Sequence, residues 1–183
     1  MPSKKQILAE LEAARAEVLQ YVDSLPEDLW EATLPGSWSP AQIVAHLAMV
    51  DAATLTGARR AEGGEGPRRE LSFRERFLAI PPALIRFPVI RVQAPSWVRP
   101  ESAPSREEAK RKLVAGRREL LAFVEGRSED ELNGLAIRHP FFGWMSAAHG
   151  LRLLAAHDLR HLTQMRSLVQ QVLKVPRTRA VAA

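Results

Sequence analysis

Apolar residues recur at intervals of three and four positions in four long parts of the sequence, which is the spacing of one face of an α-helix. Helices of this kind bury their apolar faces against one another, so the pattern predicts an all-α protein built as a helical bundle. The predicted helices run from about Ser3 to Asp23, from about Pro40 to Arg59, from Ser105 to about Gly126, and from Ser146 or Ala147 to Lys174.

A serine and a proline mark the start of the second predicted helix. Ser39 is a favourable N-cap residue, Pro40 fits the first helical position, and Gln42 completes a capping box. The inner face of this helix includes His46 among apolar residues. Because a buried imidazole requires partners for its ring nitrogens, His46 is a candidate functional residue.

The segment between residues 61 and 104 has no comparable helical stripe. It begins with a glycine-rich run from Gly63 to Pro67, contains many prolines, and favours only short helices around Ser72 to Ile80 and Pro82 to Phe87. We expect an irregular connection between the second and third helices, which crosses the bundle, covers a site or forms dimer contacts. Its longest apolar part, from about Leu78 to Val98, is broken by prolines and arginines and predicts no membrane span.

Length and composition indicate one folding unit. With 183 residues, of which 46% are hydrophobic, the chain supports one core of ordinary size, and we expect a single domain over residues 1–183. The first residues run into an amphipathic pattern without an apolar signal segment, which predicts a cytoplasmic protein. The absence of cysteine excludes disulfides, thiolate ligands and cysteine nucleophiles, so thiol chemistry would require a cosubstrate.

The charge balance is basic, with a formal net charge of +5 and a pI near 10.2. Arginines supply most of the positive charge, but they are spread along the chain and accompanied by acids, as in Arg74-Glu75-Arg76. Basic composition without a recognisable nucleic-acid motif is more typical of a solvated surface. We therefore expect no nucleic-acid partner.

The strongest chemical signal is a pair of histidines in the last helix. His157 and His161 are four residues apart, so their imidazoles project from the same helix face and can share one metal ion. Together with His46 they would form a three-histidine site that leaves part of the coordination sphere open, as in reactive metal sites. Neutral imidazole suits zinc, nickel, iron and copper, and we expect zinc first and nickel second.

Three polar residues close to these histidines are candidates for supporting roles. Asp158 lies about a hundred degrees from the histidine face and is predicted to form a salt bridge or to support a ligand. Gln164, three residues after His161, is predicted to orient a ligand or substrate, or to join helices through a hydrogen bond. Asp51 is displaced from the face of His46, which predicts solvent exposure or a salt bridge between helices.

Other aromatic and histidine residues have structural explanations. His139 precedes a proline and is predicted to lie at the surface of a loop. His149 is an alternative candidate for a metal ligand, but its position about eighty degrees from the face of His157 and at the start of the helix favours a structural role. The tryptophans Trp38 and Trp144 are expected to pack where loops meet the ends of the bundle. No catalytic acid or base stands out, so the reactive group is expected to be a water or thiol on the metal.

Three blocks of the sequence resemble the DinB/YfiT-like superfamily. They are Trp38 to Leu47 (WSPAQIVAHL), His139 to Gly143 (HPFFG) and His157 to Gln164 (HDLRHLTQ), and the similarity extends in order from about Ile7 to Val172. The resemblance implies a four-helix bundle with a three-histidine site for a divalent metal. Some members of this superfamily are thiol-dependent transferases or isomerases, and many have no known reaction.

Two hypotheses about function follow from the histidines and the resemblance. The first is a metal-dependent hydrolase or thiol-dependent S-transferase that acts on a small molecule, with a low-molecular-weight thiol as one candidate cosubstrate. The alternative is a non-catalytic dimeric helical bundle that serves as a stress or regulatory module. A homodimer is expected in either case.

Overall fold

Seven regular elements form the part of the chain that the computed structural model describes, which comprises residues 3–66, 71–72, 75, 85 and 93–174. The short helices predicted around Ser72 to Ile80 and Pro82 to Phe87 fall mostly outside these residues. The elements are α1 (Lys4–Ser24), α2 (Pro40–Glu62), α3 (Arg106–Glu125), α4 (Glu129–Gly134), β1 (Ala136–His139), β2 (Gly143–Ser146) and α5 (Ala147–Lys174). Two 3-10 turns, Glu27–Leu29 and Ser96–Val98, lie in the connections.

The four long helices α1, α2, α3 and α5 form a four-helix bundle, which confirms the predicted fold. Helix α2 lies along α3, and α1 lies along α5. Their apolar stripes meet in the interior, where one leucine from each helix is completely buried: Leu11, Leu47, Leu113 and Leu162. Burial of this apolar surface is the main force that holds the four helices together.

The capping signals account for the helix starts. The Ser39 hydroxyl accepts a hydrogen bond from the Gln42 amide, and the Gln42 side chain accepts one from the Ser39 amide. Ser105 accepts from the Glu108 amide in the same way at the start of α3. These bonds satisfy amide groups that the first helical turn leaves without partners.

A short β-hairpin precedes the last helix and is absent from the sequence prediction. Strands β1 and β2 pair antiparallel, with His139 opposite Gly143 at the open turn, where Gly143 has φ 76°. The hairpin packs against α5 through Ile137, because a Cβ added to Gly150 would collide with the Ile137 side chain. Gly150 therefore permits a close approach between the hairpin and the helix that carries His157 and His161.

None of the helices in the described ranges is long and apolar enough to cross a membrane.

Candidate metal centre

His46 is positioned by α2 and by the turn that precedes α3. It is 3% exposed and lies under the ring of Trp38, with the two ring centroids 5.0 Å apart. Its Nδ1 donates a hydrogen bond to the main-chain carbonyl oxygen of Val98 at 2.6 Å. Because a carbonyl oxygen can only accept, this bond assigns the proton to Nδ1 and leaves a lone pair on Nε2.

His161 is held in the same tautomer by a side chain. Its Nδ1 donates to Oε1 of Gln164 at 2.9 Å, and the ring is 8% exposed. Gln164 therefore contacts His161 directly, and its role in orienting a ligand stays a prediction. The lone pair of His161 Nε2 is again left free to bind another group.

The three Nε2 atoms converge on one point between α2 and α5. His157 Nε2 lies 3.4 Å from Nε2 of His46 and 3.1 Å from Nε2 of His161. One ligand atom from each of the three residues falls within 4.8 Å of the others. Three nitrogens at about 2.0–2.1 Å from one tetrahedral ion would be about 3.3 Å apart, so the observed separations fit a shared ion.

The three imidazoles are held neutral, which is the form that binds metal. Burial lowers the pKa of His46, it lowers the pKa of His161 to about 3, and it lowers the pKa of His157 well below its usual value. The Nε2 atoms of His46 and His161 carry no proton and face each other across the centre. In the described residues, His157 Nδ1 is buried without a partner. A cation at the centre would satisfy the facing lone pairs at once.

A second buried polar cluster joins all four long helices. We call it the charge tetrad: it consists of Arg15 of α1, Asp51 of α2, Arg117 of α3 and Asp158 of α5, and no member is more than 5% exposed at its side chain. Arg117 Nη2 donates to both carboxylates at 2.9 Å. Arg15 Nη2 contacts Asp51 at 2.9 Å and Asp158 at 3.2 Å. Two positive and two negative charges therefore neutralise one another inside the bundle.

The tetrad decides between the alternatives left open for the two aspartates. Asp51 is completely buried, so the prediction of solvent exposure is wrong and the predicted salt bridge between helices is present. Asp158 forms the predicted salt bridge with Arg117, and its predicted support of a ligand stays untested. The two arginines were missed, although each lies four residues after a buried leucine, Leu11 or Leu113, on an apolar stripe.

His139 differs from its predicted surface location. It is the last residue of β1 and is only partly exposed, and its ring stacks on Phe142 with centroids 4.4 Å apart. The prediction failed because His139 precedes Pro140 in a strand end rather than in a free loop. His149 and Trp144 are partly exposed near the start of α5 and in β2, and neither belongs to the group of converging histidines.

Sequence comparison identifies a family. The family model of the DinB superfamily matches residues 10–165 of the chain. No curated protein matches the chain significantly.

Solved structures with the same fold cover nearly all of the chain. TT2238, described as a four-helix bundle protein, is 22% identical, with 90% of this chain and 99% of that chain covered and a TM-score of 0.61. YfiT from Bacillus subtilis is described as a probable metal-dependent hydrolase with an unusual four-helix bundle topology. It is 16% identical, with 92% of this chain and 86% of that chain covered and a TM-score of 0.60.

A third similar structure corrects the expectation about nucleic acid. The colibactin self-resistance protein ClbS, solved in complex with a dsDNA, is 17% identical, with 93% of this chain and 97% of that chain covered and a TM-score of 0.64. The expectation of no nucleic-acid partner is therefore wrong, because a protein with this fold has been solved in complex with duplex DNA. Contacts to phosphates need only basic side chains on a surface and leave no motif in the sequence.

Proposed function

The chain belongs to the DinB superfamily, and we propose that His46, His157 and His161 hold a divalent metal ion that serves a hydrolysis or a thiol-dependent S-transfer on a small molecule. The observation that carries the proposal is the convergence of three Nε2 atoms within bonding range of one ion. Zinc is the first candidate and nickel the second, because both accept neutral imidazole ligands.

The residues of the chain would prepare the site for such an ion before it binds. Val98 and Gln164 fix the tautomers of His46 and His161, so that both Nε2 lone pairs face the centre. Burial keeps the imidazoles neutral, and a ligand that is already deprotonated loses no proton on binding. The ring of Trp38 packs against the ring of His46.

An ion held by His46, His157 and His161 would supply a Lewis acid that favours the deprotonated form of a water or thiol. Since the chain has no cysteine, the thiol of an S-transfer would come from a cosubstrate. The protein's own contribution would be to hold the ion through His46, His157 and His161.

Metal content is the direct test. Untagged protein is purified, dialysed against zinc or nickel and measured by elemental analysis, beside His157→Ala and a matched control, His149→Ala, on the same helix but outside the converging group. We expect about one ion per chain in the wild type and in His149→Ala, and almost none in His157→Ala. Equal metal content in all three proteins would reject the site, and no metal in any of them would favour a non-catalytic bundle.

Loaded and chelated protein are then compared in screens for hydrolysis and for thiol transfer to small electrophiles. Activity that returns with the metal, and that His157→Ala lacks, supports an enzyme. Stoichiometric metal without turnover of any substrate would favour the regulatory alternative.

Nucleic-acid binding is a second candidate function, favoured by the net charge of +5. It is tested by the anisotropy of a labelled DNA duplex titrated with protein between 50 and 200 mM salt, concentrations over which phosphate contacts weaken steeply. Affinity that falls steeply with salt would support this function, and no saturable binding at the lowest salt would reject it.

A further inference from the structure

The hairpin directs His139 towards the three converging histidines. Ile137 lies two residues before His139 on the same strand face and packs on Gly150 of α5. Gly150 and His157 are seven residues apart, so they lie on nearly the same face of that helix. Arg138, between the two, is exposed on the other strand face. His139 is therefore on the side of the hairpin that faces the ligand-bearing surface of α5.

Strand β1, which ends at His139, packs against both helices that carry the converging histidines, α2 and α5. Among the described residues, the ring of His139 stacks on Phe142 rather than on one of the three converging rings. It lies beside the candidate metal centre without being part of it.

The protonation of His139 is the reverse of that in His46 and His161. Its Nδ1 accepts a hydrogen bond from the main-chain amide of Phe141 at 3.2 Å. Burial lowers the pKa of His139 to about 4, so the ring is neutral at pH 7 and its single proton is on Nε2. No group in the described residues accepts a hydrogen bond from that Nε2. The stack on Phe142 and the bond from Phe141 hold the plane of the ring.

From these contacts we propose that His139 donates a hydrogen bond from Nε2–H to the ligand that occupies the open position beside His46, His157 and His161. The inference rests on the proposed function, since it requires an ion at the three histidines. A proton on Nε2 makes His139 unsuited to bind metal through that atom and suited to contact an anionic or oxygen-bearing group. The expected ligand of the site is therefore one that accepts a hydrogen bond from His139 while it is bound to the metal.

Azide binding to the cobalt-loaded protein tests this role without requiring a known substrate. His139→Phe keeps a ring that stacks on Phe142 and removes the donor, whereas His139→Gln places an amide N–H near the position of Nε2. Arg138→Gln is the matched control, because it changes the charge of the same strand on the opposite face. Cobalt affinity and azide affinity are both measured by visible absorption, and circular dichroism confirms the fold of each variant.

We expect azide to bind about tenfold more weakly to His139→Phe, the effect of one hydrogen bond to a charged group. His139→Gln should recover most of this loss, Arg138→Gln should resemble the wild type, and cobalt affinity should be equal in all four proteins. Equal azide affinity in His139→Phe and wild type would overturn the inference alone, and so would a loss of cobalt binding in His139→Phe, which would make His139 a ligand. Absence of cobalt binding by the wild type would overturn the proposed function as well.

Discussion

Two buried polar clusters lie in the same bundle, and they solve the problem of burial in opposite ways. In the charge tetrad, two arginines and two aspartates neutralise one another through contacts of 2.9–3.2 Å. In the histidine group, neutral rings turn their lone pairs towards a shared centre, and His46 and His161 donate their outer hydrogen bonds to oxygens of Val98 and Gln164. The charges of the tetrad are balanced within the chain, whereas the lone pairs of the histidines face a centre that a group from outside the chain would fill. Burial alone therefore does not identify a functional cluster; the direction of its free lone pairs does.

Removal of one member of the tetrad should have the largest effect on stability. Arg117→Met leaves two buried carboxylates with only Arg15 for compensation, and we expect the free energy of unfolding to fall by about 3–5 kcal/mol. Urea denaturation measures this change. As a control, all four residues are replaced together by Met or Leu, which should restore most of the lost stability because no charge then remains buried. A fourfold variant less stable than Arg117→Met would contradict the interpretation.

Removal of one histidine should affect metal binding far more than folding. We expect His157→Leu to lose metal affinity by about 100-fold or more, because loss even of an outer partner of a ligand costs about 10–100-fold. The free energy of unfolding of the metal-free protein should change by less than about 1 kcal/mol, since His157 Nδ1 has no partner to lose. Calorimetric titration with zinc and urea denaturation in a chelator measure the two quantities. A large loss of stability without metal would make the histidine group a structural cluster like the tetrad.

Gln164 should have a smaller effect on the same site. Gln164→Leu removes the acceptor for His161 Nδ1 and should lower metal affinity by about 10–100-fold without altering the tetrad. Gln164→Glu keeps an acceptor at that position and should retain most of the affinity. If both variants bind zinc like the wild type in competition with a chromophoric chelator, Gln164 does not orient His161.

Acid should destabilise the metal-free protein through the histidines rather than through the tetrad. His161 has an ordinary pKa of 6.5 and a pKa of about 3 in the fold, so the unfolded chain binds more protons between these values. Stability due to His161 is therefore complete above about pH 6.5 and decreases as the pH falls towards 3. Burial raises the pKa of Asp158, which gives a change of the opposite sign. Urea midpoints at pH 7 and pH 5 should differ less in His161→Gln than in the wild type, and equal differences would refute this origin.

The bundle could be predicted because its signals are local and repeated. Serine caps and apolar stripes located the four long helices, and the end of α2 at Glu62 instead of Arg59 reflects only the uncertainty of a fraying terminus. The hairpin escaped prediction because strands of four residues, such as Ala136–His139, are too short to establish an alternating pattern. The small helix α4 did carry a signal, the capping box of Ser128 and Glu131.

The members of the candidate site differ in how far the sequence could reveal them. The spacing of His157 and His161 placed both rings on one face, but their approach to His46 depends on tertiary packing. The burial of Asp51 and Asp158 could have been predicted from their distance of four residues to the leucines on either side, Leu47 and Leu55 for the first, Leu154 and Leu162 for the second. The sequence analysis considered only the angles of Asp51 and Asp158 from the histidine faces of their helices, and it therefore missed their alignment with the buried leucines.

The bond that orients His46 ends on the carbonyl oxygen of Val98, a group that every amino acid carries. No single substitution at that position deletes the carbonyl group, so the bond to the imidazole does not depend on the chemistry of the side chain there, which is buried. An alanine scan cannot remove this bond, because alanine carries the same main-chain carbonyl group. An experiment that seeks it must change the main chain itself, for example by replacing the amide bond after Val98 with an ester, which weakens the carbonyl as an acceptor.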